Sequence, residues 1–259
     1  MDNSAARWDA EAKYFQSTFK LGQNDYNKAL FDFWTEHGML RPGYRVLDIG
    51  CGVGKYSVMF ADYGCDVTLT DISPKMIEHA RDNMSRFSTP WNAEVCDFTA
   101  ESDSDLFKDG FDFSISTMSP AVCDAKTIKR MSNITRGYCF LTRFYSWRQP
   151  GRDKVMQSVG IQPHSLVSGL KEDCESLYEA VRYAGYTPEL MLVDYNWCDN
   201  RSPEDMTEYM LRSYKESLKN TSRNTLYENI KALCSENGFF RDEVNTKVAW
   251  IFWKTRAQL

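Results

Sequence analysis

The run Val46-Leu47-Asp48-Ile49-Gly50-Cys51-Gly52-Val53-Gly54 constrains this chain more than any other stretch. It follows the break Arg41-Pro42-Gly43 and opens as a short apolar strand, Arg45–Ile49. Three glycines at alternate positions then lead into an amphipathic helical segment, Lys55 to Tyr63, stopped by Gly64. Glycine adopts the positive φ of a sharp strand-to-helix turn and lets a ligand approach the backbone closely. The start of the following helix offers N–H groups that have no partner within the helix. Such a turn belongs to open α/β sheets, whose ligands bind beyond the carboxyl ends of the strands.

The rest of the chain keeps that rhythm. Further strands are predicted over 66–70, 92–95, 111–116, 138–145, 189–195 and 247–253, which makes seven. Helices are predicted after Ser73-Pro74, where a good N-cap precedes proline at the first helical position, and over 124–134, 175–184, 204–219 and 223–236. Alternation of this kind argues for βαβ units and an α/β fold: a doubly wound, seven-stranded, mainly parallel sheet covered on both faces. Residues 1–40, with eight aromatics, and the insertions 146–174 and 198–243 carry no predicted strand. They are expected to form a helical cap over one edge of the sheet, within a single domain spanning 1–259.

Composition excludes several classes. At 259 residues, 42% hydrophobic and 26% charged, the chain can bury a large core and is neither disordered nor fibrous. Its net charge of −5 and the lack of a basic block argue against nucleic acid as the main partner. The longest strongly apolar run, Val248 to Trp253, is far too short to span a bilayer. Residues 1–8 show no apolar leader, so a cytoplasmic location without a membrane partner is expected. The eight cysteines lie at least fourteen residues apart, so no metal site is expected and they read as small buried hydrophobes.

Three acids lie at or just beyond the ends of successive strands. Asp48 lies two residues before Gly50, where it would repel a pyrophosphate but suit a cationic ammonium or sulfonium group. With G-x-G-x-G in place of G-x-G-x-x-G, this weighs against a nicotinamide dinucleotide. Asp71, seventeen residues after Gly54, is placed to accept both hydroxyls of a ribose; the alternative is an acid that stabilises the dipole of the helix after Ser73. Asp97, followed by Phe98, suits the exocyclic amine and face of an adenine; the alternative is a turn aspartate.

Taken together, Asp48-Ile49-Gly50-Cys51-Gly52-Val53-Gly54, Asp71 and Cys96-Asp97-Phe98 resemble the class I S-adenosylmethionine-dependent methyltransferases, over roughly residues 41–145. The resemblance implies a Rossmann-like methyltransferase fold with S-adenosylmethionine as cofactor. It places Gly50, Cys51, Gly52 and Gly54 along the methionine part and Asp48 near its amino group. It also gives Asp71 to the ribose, Asp97 to the adenine, Ile72 and Phe98 to the two adenine faces, and Thr117 and Met118 to the methionyl moiety. The segment Thr117-Met118-Ser119-Pro120-Ala121-Val122 departs from the N-P-P-Y-like run of enzymes that methylate adenine or glutamine nitrogen.

The acceptor side carries weaker signals. Trp147 and Trp197 follow the fifth and sixth strands, and Tyr14 and Trp8 lie in the first helical segment; each is a candidate pocket wall or simple packing. His164 is the candidate general base, while His37 and His79 read as surface or packing residues. The function this supports is methyl transfer to a small molecule by in-line displacement. The alternatives are a methyltransferase of protein or RNA, and a non-catalytic protein that binds S-adenosylmethionine. Oligomeric state is left open.

Overall fold

The computed structural model describes residues 4–18, 25–100, 105–162 and 169–255. At its centre is β1 (Arg45–Ile49), paired in parallel with β2 (Asp66–Asp71) on one side and β4 (Phe111–Thr117) on the other. Val46, Leu47 and Ile49 are fully buried, so both faces of this strand lie in the core. β3 (Trp91–Val95) continues the parallel sheet beyond β2, and β5 (Thr135–Arg148) continues it beyond β4. The full order is β3-β2-β1-β4-β5-β8-β6, where β6 is Glu189–Asp194 and β8 is Phe240–Lys254. Thr255 N–H donates to the Gly137 carbonyl and Lys247 N–H to Ser146 Oγ, so β8 runs opposite to β5. The chain steps outward from β1 to β3, then returns to place β4 on the other side of β1. The crevice between β1 and β4 is therefore the switch point of the sheet.

Helices α1 (Ala5–Thr18), α2 (Asp25–Glu36), α3 (Ser57–Asp62), α4 (Pro74–Met84), α5 (Ala125–Asn133) and α7 (Leu170–Tyr183) accompany this sheet. The aromatics of α2 belong to the core. Trp34 is fully buried, with ring centroids of Phe60, Phe113 and Phe140 within 5.4 to 5.5 Å. Tyr26 accepts a 3.0 Å hydrogen bond from Trp250 Nε1, so that the buried indole keeps a polar partner.

The single domain read from the sequence divides by its contacts into two compact units. The first comprises the described parts of Met1–Arg143, Cys174–Met191 and Ala249–Leu259; the second is Phe144–Asp173 with Leu192–Val248. The second unit has its own core. There α6 (Pro150–Ser158), α8 (Pro203–Ser213) and α9 (Arg223–Ala232) bury Val155, Met156, Met206, Met210, Leu226 and Ile230 around Phe240.

Two expectations need correction here. The insertions are not free of strands. β7 (Trp197–Arg201) pairs antiparallel with the first half of β8, Trp197 facing Val244, and makes eight strands among the described residues. β7 is five residues with a polar end, Asp199-Asn200-Arg201, and has no apolar run to mark it. β8 starts at Phe240, well before the predicted residue 247, because Phe240, Asp242, Val244 and Thr246 are buried in alternation with Arg241, Asn245 and Lys247. The cysteines are also not uniformly buried. All eight are free; Cys51, Cys65, Cys139 and Cys174 are buried, but Cys123 and Cys198 are exposed. Among the described residues, no helix is long and apolar enough to cross a membrane.

Candidate cofactor and active site

The glycine turn is built as its sequence requires. Gly50, Gly52 and Gly54 have φ of +70°, +55° and +81°. At Gly50 the need is also steric, because a Cβ there would lie 1.8 Å from Ser119 Oγ. The loops after β1 and β4 thus touch across the switch point with no room for a side chain. Gly50 and Cys51 N–H both donate to the Thr70 carbonyl, at 2.8 and 2.9 Å, which ties the turn to the end of β2.

Asp71 completes that tie. One carboxylate oxygen accepts Gly52 N–H and the other accepts Ser73 N–H, both at 2.9 Å. Burial to 9% exposure raises its pKa, against the lowering effect of these two bonds. Other residues also serve the start of α4. Ser73 Oγ accepts Met76 N–H at 3.1 Å, and Asp9 Oδ1 of α1 accepts Lys75 N–H at 3.2 Å and the Ser73 hydroxyl at 2.5 Å. These bonds hold the Asp9 carboxyl below its ordinary range. Asp9 was not legible in the sequence, since it acts across 64 residues. Behind it, Ala12 and Trp8 pack on Val53 and Met76, so α1 lies against the glycine turn.

Asp48 is the least compensated group of the site. It is 1% exposed, and one oxygen accepts the Ser57 hydroxyl at 2.7 Å. The other oxygen is buried with no hydrogen-bond partner. Desolvation, opposed by the Ser57 bond and aided by the charge of Asp71, pushes its pKa up to about 7. A buried carboxylate with one bare oxygen at the end of β1 is the partner that a cationic ammonium needs. Cys51 beside it is also buried; desolvation keeps its thiol protonated, and Sγ donates to the Gly52 carbonyl at 3.4 Å.

At the end of β4, Thr117 is 7% exposed and Met118 is half-buried. Met118 has φ of +50°, the one non-glycine residue with positive φ among those described. For a side chain of this size the left-handed region costs roughly 1–2 kcal/mol, a strain that surrounding bonds must hold. No sequence signal marked it.

The adenine side is arranged differently from what the resemblance implies. Ile72 is half-buried directly after Asp71. Asp97 is exposed, and its Oδ1 accepts both Thr99 N–H at 2.9 Å and the Thr99 hydroxyl at 2.6 Å, which is the turn role weighed as its alternative. Phe98 is only 2% exposed, edge-on to Phe107 at 6.0 Å with the Arg130 guanidinium 4.7 Å from its centroid. Arg130 also donates to the Phe98 carbonyl at 2.8 Å. The ring face expected to receive an adenine is covered by protein.

Of the acceptor-side candidates, Tyr14 is half-buried on α1, edge-on to Phe15 at 6.0 Å. Trp147 and Trp197, read separately from two strand ends, touch each other in the second unit, with centroids 5.3 Å apart and planes at 81°. Phe144 and Tyr195 extend this cluster. Trp147 Nε1 donates to Gln149 at 3.4 Å. Gln149, 1% exposed, donates in turn to the buried Asp242 at 2.6 Å, which also accepts from Arg201 at 3.1 Å. This polar chain was missed because Gln149 and Asp242 lie 93 residues apart. His164 lies outside the described residues. His37 is exposed at the end of α2, stacked on Phe33 at 4.0 Å, and His79 is half-buried in α4.

Comparison with known proteins agrees with this geometry. Residues 46–136 match the methyltransferase domain family. A magnesium-protoporphyrin O-methyltransferase of Rhodobacter capsulatus is 48% identical over 42 residues, 16% of this chain and 19% of that protein. A malonyl-[acyl-carrier protein] O-methyltransferase of Erwinia pyrifoliae is 49% identical over 47 residues, 17% of this chain and 18% of that protein. The chain thus matches less than a fifth of the length of these curated relatives. Among solved structures, an S-adenosylmethionine-dependent methyltransferase of Geobacter sulfurreducens in complex with S-adenosylhomocysteine has a TM-score of 0.51 at 16% identity, covering 96% of this chain and 99% of that one. A phosphoethanolamine N-methyltransferase of Haemonchus contortus in complex with phosphomonomethylethanolamine and S-adenosylhomocysteine also has a TM-score of 0.51 at 16% identity, covering 96% of this chain and 57% of that one. Motif, sheet order and the family match over residues 46–136 together give the chain a methyltransferase domain and a likeness to the class I S-adenosylmethionine-dependent enzymes. The bare oxygen of Asp48 and the side-chain-free cradle at Gly50 fit that cofactor.

Proposed function

We propose that this chain transfers a methyl group from S-adenosylmethionine to a small-molecule acceptor. The observation that carries the cofactor half is the buried Asp48 carboxylate, with one bare oxygen at the head of a glycine turn. Asp48 receives the ammonium of the methionine part. Gly50, Cys51, Gly52 and Gly54 present backbone to it, and Thr117 and Met118 form its floor. Asp71 keeps lone pairs for the ribose hydroxyls beyond the two N–H bonds it already accepts. Ile72 and the turn at Asp97 take the adenine edge, next to the buried Phe98.

The cofactor supplies an already electrophilic methyl on a sulfonium, so the protein's task is to align a nucleophile in line and exclude water. Alignment of this kind contributes roughly 7–11 kcal/mol. A base is required only where the nucleophile carries a proton of high pKa, and His164 is the candidate for that case. The small-acceptor half rests on the aromatic cluster of Trp147 and Trp197, on Tyr14, and on the acidic balance of the chain. In this reading the protein works in the cytoplasm. Incubation with methyl-labelled S-adenosylmethionine and a cell extract separated by size tests it. Label in low-mass products is expected; label only in protein or RNA overturns the acceptor class, and no transfer at all favours a non-catalytic binder.

A further inference from the structure

The strained residue Met118 is held by β5. Its N–H donates to both the carbonyl and the hydroxyl of Thr142, each at 3.1 Å. Thr142 is fully buried, so this hydroxyl has no water to exchange with. The next residue, Arg143, brackets the loop that contains Met118. Its guanidinium donates to the Ser116 carbonyl before the loop at 3.4 Å and to the Val122 carbonyl after it at 2.7 Å. It also donates to the Thr142 carbonyl at 2.8 Å, the same oxygen that receives Met118 N–H. Inside the bracket, Ser119 is pressed against Gly50 in the position a Cβ would fill.

We infer that Thr142 and Arg143 are positioning residues for the cofactor: by fixing the left-handed turn at Met118 they set where the β4 loop meets the glycine turn. This rests on the proposed placement of Thr117 and Met118 along the methionine part. In that placement Thr142 and Arg143 both act through the backbone of the β4 loop. Glycine at 118 would adopt the same backbone without support, so the contribution of Thr142 should depend on what occupies position 118.

The experiment is calorimetric titration with S-adenosylhomocysteine on Thr142→Val, Thr142→Ser and Met118→Gly, and on the Thr142→Val, Met118→Gly double variant. Thr142→Val should weaken affinity roughly tenfold, about 1.4 kcal/mol, and Thr142→Ser should hold it within about twofold, because the hydroxyl acceptor is kept. In the Met118→Gly background the Thr142→Val effect should shrink to about twofold or less. An equal loss in both backgrounds, or no loss in either, overturns the inference. If Thr142→Val does not fold, Arg143→Met in the two backgrounds decides by the same comparison. A parent chain with no affinity for S-adenosylhomocysteine overturns the methyl-transfer reading and this inference with it. A parent that binds, combined with an inert Thr142→Val, overturns the inference alone.

Discussion

Replacing Asp48 by asparagine should flatten the pH dependence of stability over the weakly acidic range. In the folded chain the Asp48 carboxyl is raised from 3.8 to about 7 by desolvation. Below pH 3.8 the group is protonated whether the chain is folded or not. Between that value and 7 the folded state retains a proton that the unfolded chain has lost. Its contribution is thus fully present at low pH, is lost as pH rises through 7, and is level above that. A rise of about three pH units corresponds to about 4 kcal/mol. Asparagine cannot ionise. Its carbonyl can still accept the Ser57 hydroxyl, but its amide then occupies the place of the bare oxygen, where no acceptor stands. That costs about 1–3 kcal/mol at every pH. The variant should therefore be less stable than the parent near pH 4.5 and equal to it or more stable near pH 8, so that the two curves cross. Urea unfolding followed by the fluorescence of the seven tryptophans, repeated across that range, measures this. Curves that stay parallel would show Asp48 ionised throughout and refute the desolvation argument. The same proton predicts that S-adenosylhomocysteine binding weakens as pH falls below 7 in the parent, with proton release on binding, and that Asp48→Asn abolishes both effects.

Asp71→Ala should cost roughly 2–4 kcal/mol of stability, because the Gly52 and Ser73 N–H groups both lose their acceptor, and should weaken S-adenosylhomocysteine about ten- to a hundredfold. An intact melting temperature in that variant would mean the glycine turn does not depend on Asp71. Gly50→Ala should abolish cofactor binding, with about 1–2 kcal/mol lost to its left-handed backbone and more to the collision with Ser119. Ser119→Gly should recover only the second part, as read by thermal melts of the single and double variants. Asp9→Ala should release α1, raising amide exchange in residues 5–18 and leaving α5 unchanged. Because the folded carboxyl lies below its ordinary range, the α1 contact is present above the unfolded value and is lost only as pH falls through the lowered one. Exchange in α1 that rises at neutral pH in the parent would contradict this.

Legibility followed the range of the interactions. Strands such as Arg45–Ile49 and Phe111–Thr117 were readable because their apolar residues, Val46, Leu47 and Ile49 in one and Phe111, Phe113 and Ile115 in the other, cluster in short segments preceded by Gly43 and Gly110. Helix α4 was readable because Ser73-Pro74 is a local start signal. β7 and the first half of β8 were not, because their ladder is a long-range pairing of Trp197–Arg201 with Phe240–Val244 across polar residues. The site divides in the same way. Asp48, the three glycines and Asp71 stand out because each acts through its own place at a strand end. Asp9, Thr142 and Arg143 do not, because each matters only through a partner that the fold brings to it.

Local chemistry in the chain was enough to specify a glycine turn that needs positive φ, a carboxylate that suits a cation and a βαβ rhythm that closes into a parallel sheet. Those properties travel with short segments and survive without knowledge of neighbours. Tertiary structure decided the rest, because burial and pairing belong to the packed chain. It left one oxygen of Asp48 bare, turned Phe98 inward beneath Arg130, and placed Ser119 where Gly50 has no Cβ. It also divided the chain into two units and set Met118 in a conformation that its sequence disfavours, held by the strand beside it.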